Sequence, residues 1–143
     1  MQAMEISRTA LDVEWRRLEF IAQNLANADV AGGGYQAQKL ISGPRSDFAT
    51  YLDATNPASG ADLHSFAGVA AYGVEASSEP PRLVHEPGNP KADADGFVAY
   101  PAIDHVGQMT SMMKTSRAYE ANIVAMNIAR QMYSKALELG RRA

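Results

Sequence analysis

The C-terminal stretch from Asp104 to Gly140 contains no proline, and Gly107 is its only glycine before the last position. Because most of its residues favour helix, the stretch predicts one uninterrupted helix. About 36 residues make a rod of about 54 Å, whereas a compact domain of this chain length has a diameter of about 37 Å. The sequence therefore predicts a helix that projects, or that belongs to an elongated molecule.

Two apolar stripes run along this predicted helix. The first follows the spacing of a coiled coil and consists of Met112, Tyr119, Ile123, Met126, Tyr133 and Leu137. The second lies on a different side and consists of Ala125, Ile128, Met132, Ala136 and Leu139. One stripe can pack on a helix of the same chain, and the other then stays exposed or contacts another subunit. A bundle whose core takes in both stripes is the alternative.

A second helix is predicted at the N-terminus, from Glu5 to about Ala28. Its apolar residues also follow heptad lines, one with Met4, Leu11, Leu18 and Leu25 and the other with Ile6, Val13 and Phe20, while Trp15 and Ala22 fill offset positions. We expect the helices from the two ends of the chain to pack together as an elongated coiled coil. An ordinary helical hairpin core is the alternative.

Between the helices the sequence predicts a joint, a loop and a small β region. The glycines at 32–34 end the regular structure, and a phosphate-binding role for them lacks the lysine and hydroxyl residue that such loops carry. From Ser42 to Gly73 no apolar period emerges, which is typical of a flexible loop. Residues 35–41 are a short segment that could be extended. Short strands are predicted at 72–76, 82–85 and 97–100, separated by turn-forming residues.

The predicted fold is therefore mainly α with a small β element. Residues 1–30 and 103–143 form a discontinuous helical coiled-coil domain. Residues 31–73 form a flexible joint and loop, and residues 74–102 form a short β-hairpin region.

Composition narrows the classes of function. The formal net charge of −3 argues against nucleic acid as the main partner. The absence of cysteine excludes disulfides and thiolate metal sites. No apolar run approaches the roughly 20 residues of a membrane span, so direct membrane insertion is not expected. The charged residues near the N-terminus also disagree with a cleavable signal peptide.

The sequence predicts no catalytic, cofactor-binding or metal site. Asp93 and Asp95 precede Gly96 as in half of a calcium loop, but Lys91 and Ala102 stand where two essential acidic ligands belong. The pattern therefore favours a plain turn over a divalent-ion site. The three histidines, His64, His85 and His105, have no paired ligand spacing, and no serine lies in a nucleophile motif.

Four asparagines lie in or beside the heptad-rich stretches: Asn24, Asn27, Asn122 and Asn127. Asparagine is a mediocre helix former, but at a packed helix face it can fix register and orientation. The spacing alone is equally compatible with side chains that point to water.

Several ungapped stretches resemble one protein family. The sequence Ile21-Ala22-Gln23-Asn24-Leu25-Ala26-Asn27-Ala28 resembles the N-terminal signature of bacterial flagellar rod and hook proteins. Two further regions are similar to the FlgC-type proximal-rod members in particular. The first is residues 87–98. The second is residues 116–122, and its similarity continues at Met132 and at residues 135–141. The family usually has a threonine and a tight Gly-Tyr after the asparagines. Here the segment from Ala28 to Gly34 is longer and rich in glycine, so the geometry of the joint is expected to differ from that of the family.

The resemblance implies a structural subunit of the proximal rod, which assembles helically into the drive shaft and export channel. Its partners would be copies of itself, other rod proteins and the flagellar type III export apparatus. It would reach the periplasmic rod without a cleaved signal peptide. The subunit interface would include Leu11, Leu18, Asn24, Leu25, Asn27, Arg117, Tyr119, Glu120, Asn122, Ile123, Met126, Tyr133 and Leu137.

Other functions remain as alternatives. The nearest is another axial protein of the rod and hook superfamily, or a rod subunit of a related type III secretion apparatus. A divalent-ion module using Asp93 and Asp95 is a second alternative, and an enzyme, which no residue pattern supports, is a third.

Overall fold

The computed structural model describes residues 2–32, 34–45 and 68–140. In chain order the elements are α1 (Gln2–Asn27), β1 (Gln38–Pro44), β2 (Val69–Ala76), β3 (Arg82–His85), β4 (Phe97–Tyr100) and α2 (His105–Gly140). This confirms a fold that is mainly α with a small β element. Most of the predicted loop from Ser42 to Gly73 lies outside the described residues.

The chain divides into two compact units, and both helices contribute to each of them. The first unit contains residues 1–15, 42–72 and 118–143, and the second contains residues 16–41 and 73–117. Each unit therefore combines a piece of α1, a piece of α2 and a piece of the chain between them. The boundaries differ from those of the three segments that the sequence suggested.

Helix α1 begins three residues before the predicted Glu5 and ends at Asn27. A turn follows, in which the Val30 N–H donates to the Asn27 carbonyl at 3.1 Å. The next residues are tied to the β region of the second unit: the Gly32 N–H donates to the Ala99 carbonyl at 2.9 Å. Gly32 has a φ of 123°, a conformation that glycine adopts without the steric cost of a Cβ.

Helix α2 begins at His105 because Asp104 caps it. The Asp104 Oδ1 atom accepts the Val106 N–H at 3.1 Å, which satisfies one of the free donors of the first turn. A Cβ at Gly107 would lie 2.5 Å from the Asp104 Oδ2 atom. The one glycine inside the helix therefore makes room for the cap.

The strands form two separate two-stranded sheets, β1 with β2 and β3 with β4. Strand β3 is antiparallel to β4 and pairs from Arg82 opposite Tyr100 to His85 opposite Phe97. These two strands have the predicted bounds. In the connection between them, the Asp93 Oδ1 atom accepts the backbone N–H groups of Asp95 at 3.0 Å and Phe97 at 2.8 Å, as in an Asx turn.

The grouping of the remaining predicted strand with this hairpin was wrong. Strand β2 starts at Val69 and pairs with β1 rather than with β3. For β1 the sequence indicated only that the short segment 35–41 could be extended. Gly43 and Pro44, at the end of β1, are poor strand formers and obscure the pattern.

Few side chains of the described chain are fully buried. In the second unit they include Ile21, Ala28, Leu40 and Val98, together with the polar Asn24 and Thr115. In the first unit they include Val13, Ser7 and Thr9. Large apolar surface therefore remains outside the core of each unit.

Candidate subunit interface

In the second unit, α1 and α2 meet where one ends and the other begins. The Asn24 Nδ2 atom lies 3.4 Å from the Gln108 Oε1 atom, and the His105 Nε2 atom lies 3.5 Å from the Asp29 Oδ1 atom. From Asn24 to Asp29 the chain advances by five residues, whereas the contacted residue moves back from Gln108 to His105. The parts of the two helices in this unit therefore run antiparallel. Thr115, which is buried, lies seven positions after Gln108 on the same face of α2.

In the first unit α1 contacts α2 through Trp15, whose ring centroid lies 6.3 Å from that of Tyr119. Residues on the same side of α2 as Tyr119 are half-buried after this contact, namely Asn122, Ile123, Met126 and Ala129. Ala129 is the last half-buried residue of α2. Helix α1, with 26 residues, is also shorter than α2, with 36.

Helix α2 extends well past Ala129 and ends at Gly140. Every residue from 131 to 140 is exposed. Tyr133 and Leu137 continue the stripe of Tyr119 and Met126, at heptad spacing. In the single chain their side chains are 43% and 55% exposed, respectively. The half-buried stripe of α2 therefore continues into residues that the single chain leaves exposed.

The sequence predicted that one of the two stripes would stay exposed or contact another subunit if the other packed, and the second stripe of α2 is exposed throughout. All five of its residues are solvent-accessible in the single chain. Among them, Met132 and Leu139 are 68% and 69% exposed. Exposed apolar residues that follow one helix stripe are typical of a surface that binds another protein.

The thirteen residues predicted at the subunit interface fall into three groups. Those that are half-buried by the chain itself are Leu11, Leu18, Leu25, Asn27, Tyr119, Asn122, Ile123 and Met126. Those that are exposed are Arg117, Glu120, Tyr133 and Leu137. Asn24 is alone in the third group, because its residue is only 2% exposed and offers a neighbouring molecule almost no surface.

The four asparagines play different parts. Asn24 is buried and bonds to residues far away in the sequence. The amides of Asn27 and Asn122 donate to carbonyls four residues back in their own helices, at 2.7 and 2.9 Å. Asn127 is exposed. Spacing did not distinguish these cases, since it does not record which face of α1 packs against the β region.

The residues around Asn24 were missed by sequence reasoning. Tyr35, Gln38 and Gln108 surround its amide, yet they lie on two other segments, the entry to β1 and the start of α2, and follow no common spacing. The only signal was the asparagine itself, a polar residue among the apolar positions of a helix.

The described part of the chain offers no set of ligands for a divalent ion. Among residues 2–32, 34–45 and 68–140, no three His, Cys, Asp or Glu side chains are grouped so that they could hold a metal ion. The Oδ1 atom of Asp93 is used by two backbone N–H groups. His85 packs against the Phe97 ring at a centroid distance of 5.1 Å, and His64 lies outside the described residues.

Neither helix, as far as the structure describes it, contains a segment both long and apolar enough to cross a membrane.

Comparison with known proteins places these features in a family. The model of the family described as flagellar basal body rod FlgEFG protein C-terminal matches residues 94–139. The flagellar basal-body rod protein FlgC of Salmonella typhimurium is 37% identical over 144 residues, which cover 98% of this chain and 97% of the relative. The Bacillus subtilis FlgC protein is 29% identical, with 97% of each chain covered. The FlgC protein of Borreliella burgdorferi is 28% identical, over 96% of this chain and 95% of its own. A relative this similar over nearly the whole of both chains shows that the chain belongs to the FlgC family of flagellar basal-body rod proteins.

Proposed function

We propose that this rod protein assembles helically with copies of itself and with other rod proteins, through the faces of α2 that its own chain leaves uncovered. The observation that carries the proposal is that Tyr133 and Leu137 continue the half-buried stripe of α2 at heptad spacing but are exposed in the single chain. The second stripe, with Met132 and Leu139, supplies another apolar surface.

The physical reason is the cost of leaving this surface in water. Full burial of one leucine-sized side chain is worth about 1.5–3 kcal/mol. A neighbouring subunit that covers both stripes can therefore gain enough to offset the loss of motional freedom on association. Apolar anchors surrounded by polar residues are the usual centre of such an interface.

The two stripes lie on different sides of one helix, so they do not make a single self-complementary patch. Contacts between unlike surfaces that do not close into a ring generate a helical array of subunits. Helical polymerisation into a drive shaft with an export channel is therefore part of the proposal. So are passage through the type III export apparatus, a periplasmic position without a cleaved signal peptide, and the absence of catalytic activity.

We further propose that the terminal turns of the free subunit, at the start of α1 and at residues 131–140 of α2, are partly disordered and become ordered on assembly. The free energy of the interface would offset the chain entropy that is lost. Circular dichroism of a dilute monomer should then show less helix than the 26 residues of α1 and 36 residues of α2. Full helicity in the monomer would contradict this part.

The interface is tested by complementation of a strain that lacks the protein. We expect Leu137→Glu to abolish rod assembly and swimming while export of the subunit continues, because a carboxylate at this position opposes burial. The matched control is Gln131→Glu, which adds the same charge at an exposed position of the same helix and should leave swimming intact. Met126→Glu and Leu25→Glu, at the half-buried positions, should also block assembly.

Normal swimming of the Leu137→Glu strain would contradict the proposed interface. Loss of export in that strain would mean that the substitution acts before assembly, and it would equally count against the assignment.

A further inference from the structure

We propose that Asn24 is a coupling residue. Its buried amide makes the end of α1, the segment that enters β1 and the first turns of α2 order together, as one cooperative element of the second unit. The proposal concerns the free chain and does not depend on how subunits assemble.

The Asn24 amide uses its full hydrogen-bonding capacity. Its Nδ2 atom donates to the Gln38 carbonyl at 2.8 Å and to the Gln108 Oε1 atom at 3.4 Å. Its Oδ1 atom accepts the Gln38 N–H at 2.8 Å and the Tyr35 hydroxyl at 2.8 Å. An asparagine amide has two donor hydrogens and two acceptor lone pairs, so no capacity is left over.

The bonds to Gln38 take the place of a neighbouring strand. Gln38 is the first residue of β1, and both its N–H and its carbonyl bond to the same side chain. This is the exchange that a residue on an adjacent strand makes at a hydrogen-bonded position of a sheet. Asn24 therefore joins α1 directly to the backbone at the start of the strand, through groups that need a partner when buried.

The coupling follows from the number of segments that one buried amide serves. If α1 and β1 came together without α2, the donor that faces Gln108 would lose its protein partner. If α1 and α2 paired without β1, three of the four bonds would be missing. Because a buried polar group without a partner is costly, the partly ordered arrangements are disfavoured relative to the complete one.

The other asparagines of the helices supply the comparison. The amide of Asn27 bonds to Gln23 within α1, and that of Asn122 bonds to Ala118 within α2. Each joins a helix to itself. Substitution at either position cannot separate the ordering of one segment from that of another.

The test is amide hydrogen exchange on the full chain at increasing denaturant. In the wild type we expect residues 35–40 and 105–112 to lose protection at the same midpoint. In Asn24→Leu, which keeps a similar side-chain volume, we expect exchange at residues 35–40 to be at least about tenfold faster and the two midpoints to separate. Because leucine favours helix more than asparagine does, residues 16–22 should keep their protection.

Asn27→Leu is the matched control, the same substitution three residues further on, and it should leave the two midpoints coincident. Tyr35→Phe removes one of the four bonds and should shift residues 35–40 in the same direction by a smaller factor. It carries the test if Asn24→Leu does not fold. The proposal is overturned by coincident midpoints in the Asn24 and Tyr35 variants, by an equal effect of Asn27→Leu, or by unprotected residues 35–40 in the wild type.

Discussion

The second half of α1 and the last ten residues of α2 show how differently the structure uses two helical segments with similar apolar spacing. At the end of α1, Ile21, Asn24 and Ala28, the residue that follows the helix, are buried, and all three belong to the second unit. In α2, no residue from 131 to 140 is buried, although Tyr133 and Leu137 repeat the heptad spacing of the covered part. A heptad pattern thus identifies a helix face that is suited to packing against another helix. The pattern does not indicate whether that helix belongs to the same chain.

The largest effect expected from this contrast is a difference in stability between two substitutions that shorten a side chain to alanine. Ile21 is 6% exposed, so Ile21→Ala should lower the free energy of unfolding by about 2–5 kcal/mol. Leu139→Ala, at the exposed end of α2, should change it by no more than about 0.5 kcal/mol. Denaturant unfolding of both variants measures the difference. Equal destabilisation would show that the end of α2 is packed in the free chain.

A smaller effect is expected in the first unit, where the start of β2 contacts Thr9 of α1. Gly68 has a φ of 105°, and a Cβ there would overlap the side chain of Thr9, whose Oγ1 atom accepts the Val69 N–H at 3.1 Å. We therefore expect Gly68→Ala to lower the free energy of unfolding by about 1–3 kcal/mol.

Gly73→Ala is the control for this change, because nothing lies within 4 Å of a Cβ at that position. It should stay within about 0.5 kcal/mol of the wild type. Comparable losses in the two variants would mean that β2 does not dock on Thr9 in solution.

A smaller effect should appear at alkaline pH, through the phenol that bonds to Asn24. Burial raises the pKa of Tyr35 above the usual value of about 10. The raised pKa belongs to the folded state, so the contribution of the neutral phenol is fully present below pH about 10 and is lost as the pH rises through the folded pKa. The denaturant midpoint of the second unit should therefore fall in this range.

Tyr35→Phe should show a weaker alkaline fall than the wild type. Burial, assisted by a hydrogen bond to Glu86, also raises the pKa of Tyr100, so Tyr100→Phe serves as the comparison on the β3–β4 sheet. If Tyr35→Phe kept the whole alkaline loss, the Tyr35 phenol would not be its source.

The smallest effect is expected at the exposed ion pairs, where the two helices should behave alike. In α1 the Arg8 Nη2 atom lies 2.5 Å from the Glu5 Oε1 atom. In α2 the Lys135 Nζ atom lies 3.1 Å from the Glu138 Oε2 atom. Because such pairs are solvated, Arg8→Ala and Lys135→Ala should leave the unfolding midpoint within experimental scatter.

A titration by nuclear magnetic resonance can still detect the Arg8 pair. The hydrogen bond from Arg8 lowers the pKa of Glu5, so the pKa should rise towards its usual value in Arg8→Ala. The small stabilisation from a lowered pKa is present above the unfolded-state pKa and is lost as the pH falls. An unchanged Glu5 pKa would show that the pair does not persist in solution.

Much of the fold was predictable because it depends on local features. The two helices follow from the lack of proline and from apolar periodicity, and β3 and β4 follow from strong turn residues on either side. The pairing of β1 with β2 was not predictable in the same way. It joins residues on the two sides of the stretch from 46 to 67, and Gly43 and Pro44 hide the strand pattern of β1.

The candidate interface was predictable to a similar extent. The stripes of Tyr119 and Met126 and of Met132 and Leu139 could be read from spacing, and the exposure of the second stripe agrees with the expectation that one stripe would be left over. The position at which the first stripe becomes exposed, after Ala129, could not be read from spacing, because it depends on which residues the rest of the chain covers.

The sequence by itself determined which segments are helical and which of their faces are apolar, because both properties depend on residues within a few positions of one another. Only the tertiary structure decided that Asn24 lies inside the chain, bonded to three other residues, while Tyr133 and Leu137 remain outside. The physical reason is that burial depends on where a partner segment begins and ends. In this chain, α1 is too short to cover the whole of α2.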